Sequence, residues 1–324
     1  MAAAASHLAA GGLVAFPTET VYGLGADACS AMGVARIYEV KGRPSDHPLI
    51  VHVASMDGLG EWAREVPGYA ISMARDFWPG PMTLVLKRSS LAKDFITGGQ
   101  DTVGVRVPNH PVALALLEAF ESIGGTGIAA PSANRFGQVS PTTAAAVVHE
   151  IGEYLDSADQ IIDGGACAVG VESTIIDCTG DAPKILRPGA ITPMMIEIST
   201  GIQVTKLIGS SNGGVVNNSA GVNSDEIIRV SGSLENHYAP AAKVLLCETP
   251  TPGQGFIAHA NMETPAGVIR LASPKSDEEF AQILYSALRE ADAQGLKEVV
   301  VMQPIGIGIA VAIRDRLARA ANGR

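Results

Sequence analysis

The chain has 324 residues, of which 47% are hydrophobic, and a formal net charge of −10 at pH 7. This length is sufficient for two domains of ordinary size, and the apolar fraction is sufficient to bury a core. The acidic balance argues against broad binding to a nucleic-acid backbone, which usually needs a basic surface, and leaves room for a local basic pocket.

The N-terminus and the cysteines narrow the class of protein further. No run of about 18 apolar residues is present, so no transmembrane helix is expected. The stretch MAAAASHLAAGG lacks a basic region ahead of an apolar segment, and we interpret it as a first helix, not a signal peptide. The four cysteines have no C-x-x-C spacing, which argues against a zinc site or a disulfide framework and favours reduced thiols in the cytoplasm.

Up to about residue 200, short apolar runs alternate with helical patterns. Strands are predicted at residues 13–16, 49–53, 83–87, 103–107, 127–130, 161–163, 174–178 and 184–187. The stretch PTETVYGLG after the first strand is predicted to be a loop. Helices are predicted at residues 31–40, 67–77, 111–122 and 142–151, the last beginning after Ser140 with Pro141 in its first turn. This alternation predicts an α/β domain built on a twisted sheet.

The composition changes after Pro193. Residues 209–224 are rich in Gly, Ser and Asn, which is typical of a linker. The motif SGSLENHYAP at residues 231–240 precedes predicted strands at 243–247, 267–271 and 298–302 and predicted helices at 278–293 and 309–321. Strand–helix–strand order in so short a block predicts a small parallel α/β domain.

Several cations lie within or at the ends of these predicted elements. Lys41 and Arg43 follow a helix, where they either complement the helix dipole or bind an anion. Arg106 lies inside the run VGVRVP, where it either forms a core ion pair or faces a ligand pocket, because an unpaired buried charge is costly. Arg187 ends another strand. Arginine suits carboxylate and phosphate, and α/β sheets bind ligands at strand ends, so these residues favour a site for a phosphate-bearing ligand.

Small polar side chains follow several of the same strands. Ser132 and Asn134 lie in APSAN, and Ser140 and the pair Ser173 and Thr174 occupy similar positions. Each is individually typical of a turn or cap. Together, hydroxyl and backbone donors of this kind can cradle a phosphate.

The acidic residues and the remaining motifs do not decide whether the protein helps to hold a metal ion. His52 lies in a strand, where a histidine is more often structural than catalytic, and no His/Cys cluster predicts a tight metal site. Glu19, Glu172 and Asp163 either help to hold a magnesium ion brought by a nucleotide or are simply solvated. The segment around Gly306 lacks the full dinucleotide-binding spacing, and neither a G-x-x-x-x-G-K-[ST] nor a G-x-S-x-G motif is present.

Seven motifs together resemble one family. PTETVYGLG, KGRPSDHPLIVH, WPGPMTLVL, VGVRVP, APSAN, ESTIID and ILRPG occur in the order found in the YrdC/Sua5 family of threonylcarbamoyl-AMP synthases, and the resemblance covers about residues 8–200. The HYAP motif and the C-terminal block resemble the two-domain Sua5 branch. The resemblance implies a YrdC-like domain with a twisted mixed β-sheet at residues 1–203, a linker or lid at 204–240, and a small Rossmann-like parallel α/β domain at 241–324.

The resemblance also implies a reaction. L-threonine, bicarbonate and ATP would give L-threonylcarbamoyladenylate and pyrophosphate, and the product would serve N6-threonylcarbamoyladenosine formation at position 37 of ANN-decoding tRNAs. Partner proteins would accept the product in the cytoplasm, and Mg²⁺ would accompany ATP without a dedicated protein site. The alternative is an RNA-binding module of the same fold. A hydrogenase-maturation type of enzyme would need zinc-finger cysteines and an acylphosphatase-like region, and the chain has neither.

The family's site residues correspond to positions in these motifs. Lys41 and Arg43 are expected to neutralise the ATP phosphates and to act in catalysis. The threonine pocket is expected to contain Thr20, His52, Arg106 and Ser173, with Arg106 taking the carboxylate. The nucleotide site is expected to contain Lys41, Arg43, His47, Thr102, Ser132, Asn134, Ser140, Arg187 and, from the linker, Tyr238. Tyr22 is expected to shape the loop beside the substrate.

Overall fold

The structure, a computed structural model, describes residues 1–206, 228–232 and 238–322. The first part of the chain contains ten strands: β1 (Val14–Phe16), β2 (Gly23–Asp27), β3 (Ile50–His52), β4 (Met82–Lys87), β5 (Thr102–Arg106), β6 (Ile128–Ala129), β7 (Gln160–Ile161), β8 (Thr174–Asp177), β9 (Lys184–Arg187) and β10 (Thr205–Lys206). Its α-helices are α1 (Ala2–Ala9), α2 (Ala31–Lys41), α3 (Leu59–Trp62), α4 (Gly68–Phe77), α5 (Asp94–Thr97), α6 (Pro111–Glu121), α7 (Ala144–Ile151) and α8 (Pro193–Thr200).

These strands form one mixed sheet in the order β10-β9-β8-β4-β5-β3-β6-β2-β1-β7. β3 and β5 are parallel neighbours whose register pairs His52 with Arg106. The main core, which includes Trp62, Leu84 and Val105, packs against this sheet. The prediction of a mixed α/β sheet is confirmed, and the register brings two predicted site residues to adjacent positions.

Helix ends decide where two groups of site residues lie. Ser30 caps the start of α2 by accepting from the Gly33 amide, and Gly42 ends the helix in the left-handed conformation at φ 59°. Lys41 and Arg43 therefore flank a sharp change of chain direction. α7 begins at Ala144, where Thr143 is the N-cap, so the prediction that this helix starts just after Ser140 was wrong.

The C-terminal part has its own sheet. β11 (Lys243–Leu246), β12 (Gly255–Ile257), β13 (Ile269–Ala272) and β14 (Glu298–Val301) are arranged as β11-β14-β12-β13, with every pairing parallel. Helices α9 (Asp277–Ala293) and α10 (Ile309–Ala321) pack against this sheet. The predicted parallel α/β unit is confirmed. None of the helices in the described ranges is long and apolar enough to cross a membrane.

The two sheets are joined by a shared apolar cluster. Val21, Val139 and Val171 from the first part contact the cluster that contains Phe280 and Leu284 of α9. Burying apolar side chains in this way stabilises the contact between the two parts of the chain. The linker predicted at residues 209–224 lies outside the described residues, and the domain boundaries at 203 and 240 stay predictions.

Three strands, β2, β10 and β12, were not predicted, because their sequences are very short or lack a strand pattern. β2 has the sequence GLGAD and was assigned to a loop. Gly25 is required there, because a Cβ would lie 2.8 Å from both Ile128 and Phe16 side-chain atoms. β12 has the sequence GFI, which is too short for a periodic pattern to be visible.

Gly170 provides a test of the contact between the two parts. Its φ is +80°, and an added Cβ would lie 2.4 Å from Ala281 O in α9. Gly165 is a matched control, since its φ is +85° and nothing lies within 4 Å. Both alanine variants pay about 1 kcal/mol for the left-handed backbone, and Gly170→Ala loses a further ~1–3 kcal/mol to the clash. Equal losses of unfolding free energy in denaturant titrations would contradict this packing.

Candidate active site

One cleft brings together most of the predicted site residues. It lies between the mixed sheet and the described linker residues and encloses about 600 Å³, part of which is open to solvent. Its lining is made of Thr18, Thr20, Val21, Gly23, Lys41, Arg43, Ile50, His52, Arg106, Ala130, Pro131, Ser132, Phe136, Glu172, Ser173, Arg187, Ser231, Gly232 and Tyr238.

Lys41 is held by carbonyl groups. Its Nζ donates to the carbonyl oxygens of Ser132, at 2.6 Å, and Asn134, at 2.5 Å. The side chain is 2% exposed. Burial first, and then the nearby charge of Arg43, hold the pKa of Lys41 well below its usual range. The APSAN motif thus contributes backbone carbonyls that fix the lysine without neutralising it.

Arg43 and Arg187 both donate hydrogen bonds to the described linker residue Ser231. Arg43 Nη2 donates to Pro48 O at 2.9 Å and to Ser231 Oγ at 3.2 Å. Arg187 Nη1 donates to Ser231 O at 2.8 Å, and its Nε and Nη2 donate to Ser173 O. Burial lowers the pKa of Arg43 to about 10 and lowers the pKa of Arg187. Within the described ranges, neither guanidinium, nor Lys41, has a carboxylate within 4 Å.

Arg106 is, by contrast, an ion-paired cation that also lines the cleft, so both of its predicted environments are found. Its Nη2 lies 2.7 Å from Glu19 Oε1, and its Nε donates to Gly80 O at 3.3 Å. The Nη2 contact is an ion pair whose angle falls outside hydrogen-bond geometry. Glu19 Oε2 accepts from the Asn109 amide, which fixes the carboxylate.

His52 and Thr20 complete this side of the cleft. His52 is buried, and burial followed by the charge of Arg106 lowers its pKa to about 3, so the imidazole is neutral at physiological pH. Its Nδ1 has no hydrogen-bond partner in the described part of the chain. The Thr20 hydroxyl lies 2.8 Å from that of Thr18. This side of the cleft therefore contains a neutral imidazole, two hydroxyl groups and the Arg106 guanidinium.

Ser173 connects the two halves of the cleft. Its hydroxyl lies 2.8 Å from that of Thr83 and accepts from Arg187 Nη2 at 3.2 Å. The residue is 1% exposed, so its hydroxyl is fixed by these partners.

Glu172 is bound by residues that are distant in sequence. Its carboxylate accepts from Ser140 Oγ at 2.6 Å, from Tyr285 Oη at 2.9 Å and from Arg316 Nε at 2.7 Å. Burial alone would raise the pKa of Glu172, but the charges of Arg316 and Arg187 outweigh burial and hold the pKa at about 2. The interpretation of Glu172 as a solvated acid was therefore wrong, since the residue is buried, and its alternative role beside a magnesium ion stays a prediction.

The structure places several other predicted residues outside the cleft lining. Ser140 donates to Glu172, and Asn134 donates to Arg135 O and Gln138 O. Both residues therefore support the cleft wall without lining it. His47 packs edge-on against the cleft residue Phe136 at 5.3 Å between ring centroids. Thr102 lines a smaller neighbouring cleft that shares Ile50 and Ser231.

Tyr22 also lies outside the cleft lining. It donates to Gly165 O at 2.8 Å, in agreement with its expected role in shaping the loop. Asp163 accepts from the Gly165 amide at 2.9 Å, which is the Asx-turn geometry of a loop.

Tyr238 does line the cleft, as predicted. It is 1% exposed and stacks on Tyr285 at 5.8 Å between ring centroids. Ser231 and Gly232 were missed as lining residues. Gly232 has φ 78°, and a Cβ there would lie 2.2 Å from Tyr238 Oη. The only signal in the sequence was their position in the SGS stretch ahead of HYAP.

The described residues do not fit a protein-held metal ion. They contain no group of three or more His, Cys, Asp or Glu side chains suited to a metal. Two carboxylates at the cleft, those of Glu19 and Glu172, are each paired with an arginine. No step below therefore passes through a metal ion held by the protein.

The fold and the cleft define a class: a two-domain α/β protein whose buried cations lie between a mixed sheet and a linker. The family model described as "Telomere recombination", for Sua5, YciO and YrdC, matches residues 6–189. The model described as "Threonylcarbamoyl-AMP synthase, C-terminal domain" matches residues 191–322. The chain belongs to the YrdC/Sua5 family and has the two-domain Sua5 organisation, which confirms the resemblance inferred from the motifs.

Known relatives agree along the whole chain. The threonylcarbamoyl-AMP synthase of Pyrococcus abyssi is 40% identical, with 99% of this chain and 94% of the relative covered. The corresponding Bacillus subtilis protein is 38% identical, with coverages of 100% and 93%. The crystal structure of P. abyssi Sua5 complexed with L-threonine matches with a TM-score of 0.84 at 38% identity, covering 100% of this chain and 94% of that chain.

The pairing of Glu172 predicts an acid dependence of stability. Its pKa falls from 4.5 to about 2 on folding, so its stabilising effect is present above pH 4.5 and is lost as the pH falls towards 2. Glu172→Gln should lower stability at neutral pH and flatten the fall in unfolding free energy across this window. Denaturant titrations at several pH values measure this, with Glu61→Gln, which changes an exposed glutamate, as the control. Equal acid slopes in wild type and Glu172→Gln would contradict the pairing.

Proposed function

We propose that this protein is an L-threonylcarbamoyladenylate synthase, a nucleotidyltransferase that converts L-threonine, bicarbonate and ATP into threonylcarbamoyl-AMP and pyrophosphate. The observation that carries the proposal is the group of buried cations Lys41, Arg43 and Arg187, which have no carboxylate partner in the described ranges and line one cleft with Arg106. Such a group suits a triphosphate beside an amino-acid carboxylate.

The chemistry has two steps. The threonine amine attacks the carbon of bicarbonate or dissolved carbon dioxide and loses a proton, which gives a carbamate, with release of water in the bicarbonate case. A carbamate oxygen then attacks the α-phosphorus of ATP, and the bond to the bridging oxygen breaks to release pyrophosphate. Both steps need positioning and charge neutralisation more than a protein nucleophile.

Each part of the cleft has a role in this scheme. Arg106 takes the threonine carboxylate, and its pairing with Glu19 fixes the guanidinium for that contact. Thr20, Ser173 and the neutral His52 surround the rest of the amino acid. The low pKa of His52 keeps a second positive charge away from the threonine ammonium group.

The nucleotide occupies the other half of the cleft. Lys41, Arg43 and Arg187 lie against the phosphates and stabilise the charge that develops on pyrophosphate. Ser132 and Tyr238 line the space for the nucleoside. His47, Thr102, Asn134 and Ser140 act from outside the lining, by supporting its walls. Mg²⁺ would arrive bound to ATP, because Glu19 and Glu172 are already paired with arginines.

The product has a defined use in this proposal. Threonylcarbamoyl-AMP is a mixed anhydride that would be passed to tRNA-modifying partner proteins in the cytoplasm for N6-threonylcarbamoyladenosine formation. A purely RNA-binding role is not favoured, because the net charge is −10 and the cations concentrate in a buried cleft.

The first prediction concerns substrate dependence. Pyrophosphate release should require ATP, bicarbonate and L-threonine together, since the carbamate forms from two of them. A coupled pyrophosphate assay with single omissions, supported by mass detection of threonylcarbamoyl-AMP, measures this. Pyrophosphate release at an unchanged rate without threonine would refute the synthase reaction.

The second prediction concerns the cations. Lys41→Ala and Arg43→Ala should each lower kcat/KM by roughly 10²-fold or more, because each removes a charge aimed at the phosphates. Lys93→Ala, which removes an exposed lysine of the same domain, is the matched control. Circular dichroism establishes that the variants are folded. Full activity in either cleft variant would remove that residue from the site.

The third prediction concerns protons. The pKa of Lys41 is depressed without a ligand, and a bound triphosphate should raise it by supplying negative charge. Nucleotide binding should therefore take up as much as about one proton over part of a neutral-to-alkaline pH series. Calorimetry in buffers with different ionisation enthalpies counts these protons. The same uptake in Lys41→Met would show that Lys41 is not their source.

A further inference from the structure

Arg316 of helix α10 reaches the cleft wall from the C-terminal domain. Its side chain is fully buried, and it forms contacts with three segments that border the cleft. Nε donates to Glu172 at 2.7 Å, Nη2 donates to Pro188 O at 3.0 Å, and the guanidinium carbon lies 5.4 Å from the centre of the Tyr238 ring. Asp315 accepts a hydrogen bond from Nη1 and so also helps to fix the guanidinium.

Each residue that Arg316 contacts in these three segments either lines the cleft or is next in sequence to a residue that does. Glu172 precedes Ser173, and Pro188 follows Arg187. Tyr238 lines the cleft directly and also stacks on Tyr285, whose hydroxyl donates to Glu172. The Arg316 guanidinium therefore contacts the residue before Ser173, the residue after Arg187, and Tyr238 at the described end of the linker.

The electrostatics favour the same conclusion. Glu172 is buried and ionised, and removing one partner of a buried ion pair is strongly destabilising because the other charge is left uncompensated. Arg316 and Arg187 are the two cations whose charges lower the pKa of Glu172, so Arg187 alone would remain if Arg316 were absent. Glu172 would then draw positive charge away from the place where the nucleotide phosphates bind.

We propose that Arg316 is a positioning residue for the nucleotide: it neutralises Glu172 and holds the Pro188 turn and Tyr238, so that Arg187 and Tyr238 stay directed at ATP. The proposal rests on the proposed synthase function for the identity of the nucleotide. It gives the C-terminal domain a defined part in the reaction, since without that domain the cleft wall lacks the guanidinium.

The matched control is Arg289 of α9, which crosses the same contact between the two parts. Arg289 pairs with Glu150 and donates to Val139 O, and none of these residues lines the cleft. Arg316→Met and Arg289→Met therefore each remove one ionic contact between the domains, and only the first removes a contact to the cleft wall.

The test measures dissociation constants of a non-hydrolysable ATP analogue and of L-threonine by calorimetry in the full-length protein, with KM for ATP and kcat alongside. Arg316→Met should weaken analogue binding by roughly tenfold or more, which is about 1.4 kcal/mol. Threonine binding should fall by a clearly smaller factor than analogue binding, since Arg106 takes the threonine carboxylate and Arg316 reaches that pocket only through Glu172, the residue before Ser173. Arg316→Lys, which keeps the charge, should recover part of the loss. Arg289→Met should leave both constants within about twofold of wild type.

Three results would overturn the proposal: analogue binding at wild-type strength in folded Arg316→Met, parallel loss of both ligands, or an equal loss of analogue binding in Arg289→Met. If Arg316→Met does not fold, the double variant Glu172→Gln with Arg316→Met removes the unpaired charge and is held to the same criteria. Binding does not depend on turnover. A failure of the synthase reaction would therefore appear separately, as absence of product with the wild-type protein.

Discussion

The burial of positive charge without carboxylate neutralisation is the constraint on which the site depends. Lys41, Arg43 and Arg187 are each at most 8% exposed. Within the described ranges their hydrogen-bond partners are carbonyl groups and serine hydroxyls. Dipoles of this kind hold a cation in place without pairing it with a negative charge. Burial lowers the pKa of all three groups, and a polyanionic ligand would favour their charged forms.

The two glutamates of the cleft region behave in the opposite way. Glu19 is paired with Arg106 at 2.7 Å, and Glu172 with Arg316 at 2.7 Å. Both pairings neutralise negative charge beside the cleft, and under the proposed function this charge would otherwise repel the triphosphate. The second pairing connects the cleft wall to the C-terminal domain, so the Glu172 contact links the stability of the molecule to the geometry of the cleft.

Much of the fold and the centre of the site were predictable from local sequence. Apolar runs placed most strands, and cations at strand and helix ends predicted Lys41, Arg43, Arg106 and Arg187, all of which line the cleft. The roles of Ser140 and Glu172 were not predictable, because Ser140 donates to Glu172 from 32 residues away and Glu172 pairs with Arg316 from 144 residues away in sequence. Such a contact leaves no local pattern. β2 was missed for a different reason, since close packing there requires glycine, which is rare in strands.

The central claim is that one cleft holds the triphosphate against the unneutralised cations and the threonine carboxylate against Arg106. A crystal structure of this protein with L-threonine and a non-hydrolysable ATP analogue tests it most directly. We expect phosphate oxygens within hydrogen-bond distance of Lys41, Arg43 or Arg187, and the threonine carboxylate on Arg106 with the Glu19 pair retained. A triphosphate bound elsewhere, or a threonine carboxylate that does not contact Arg106, would contradict the account.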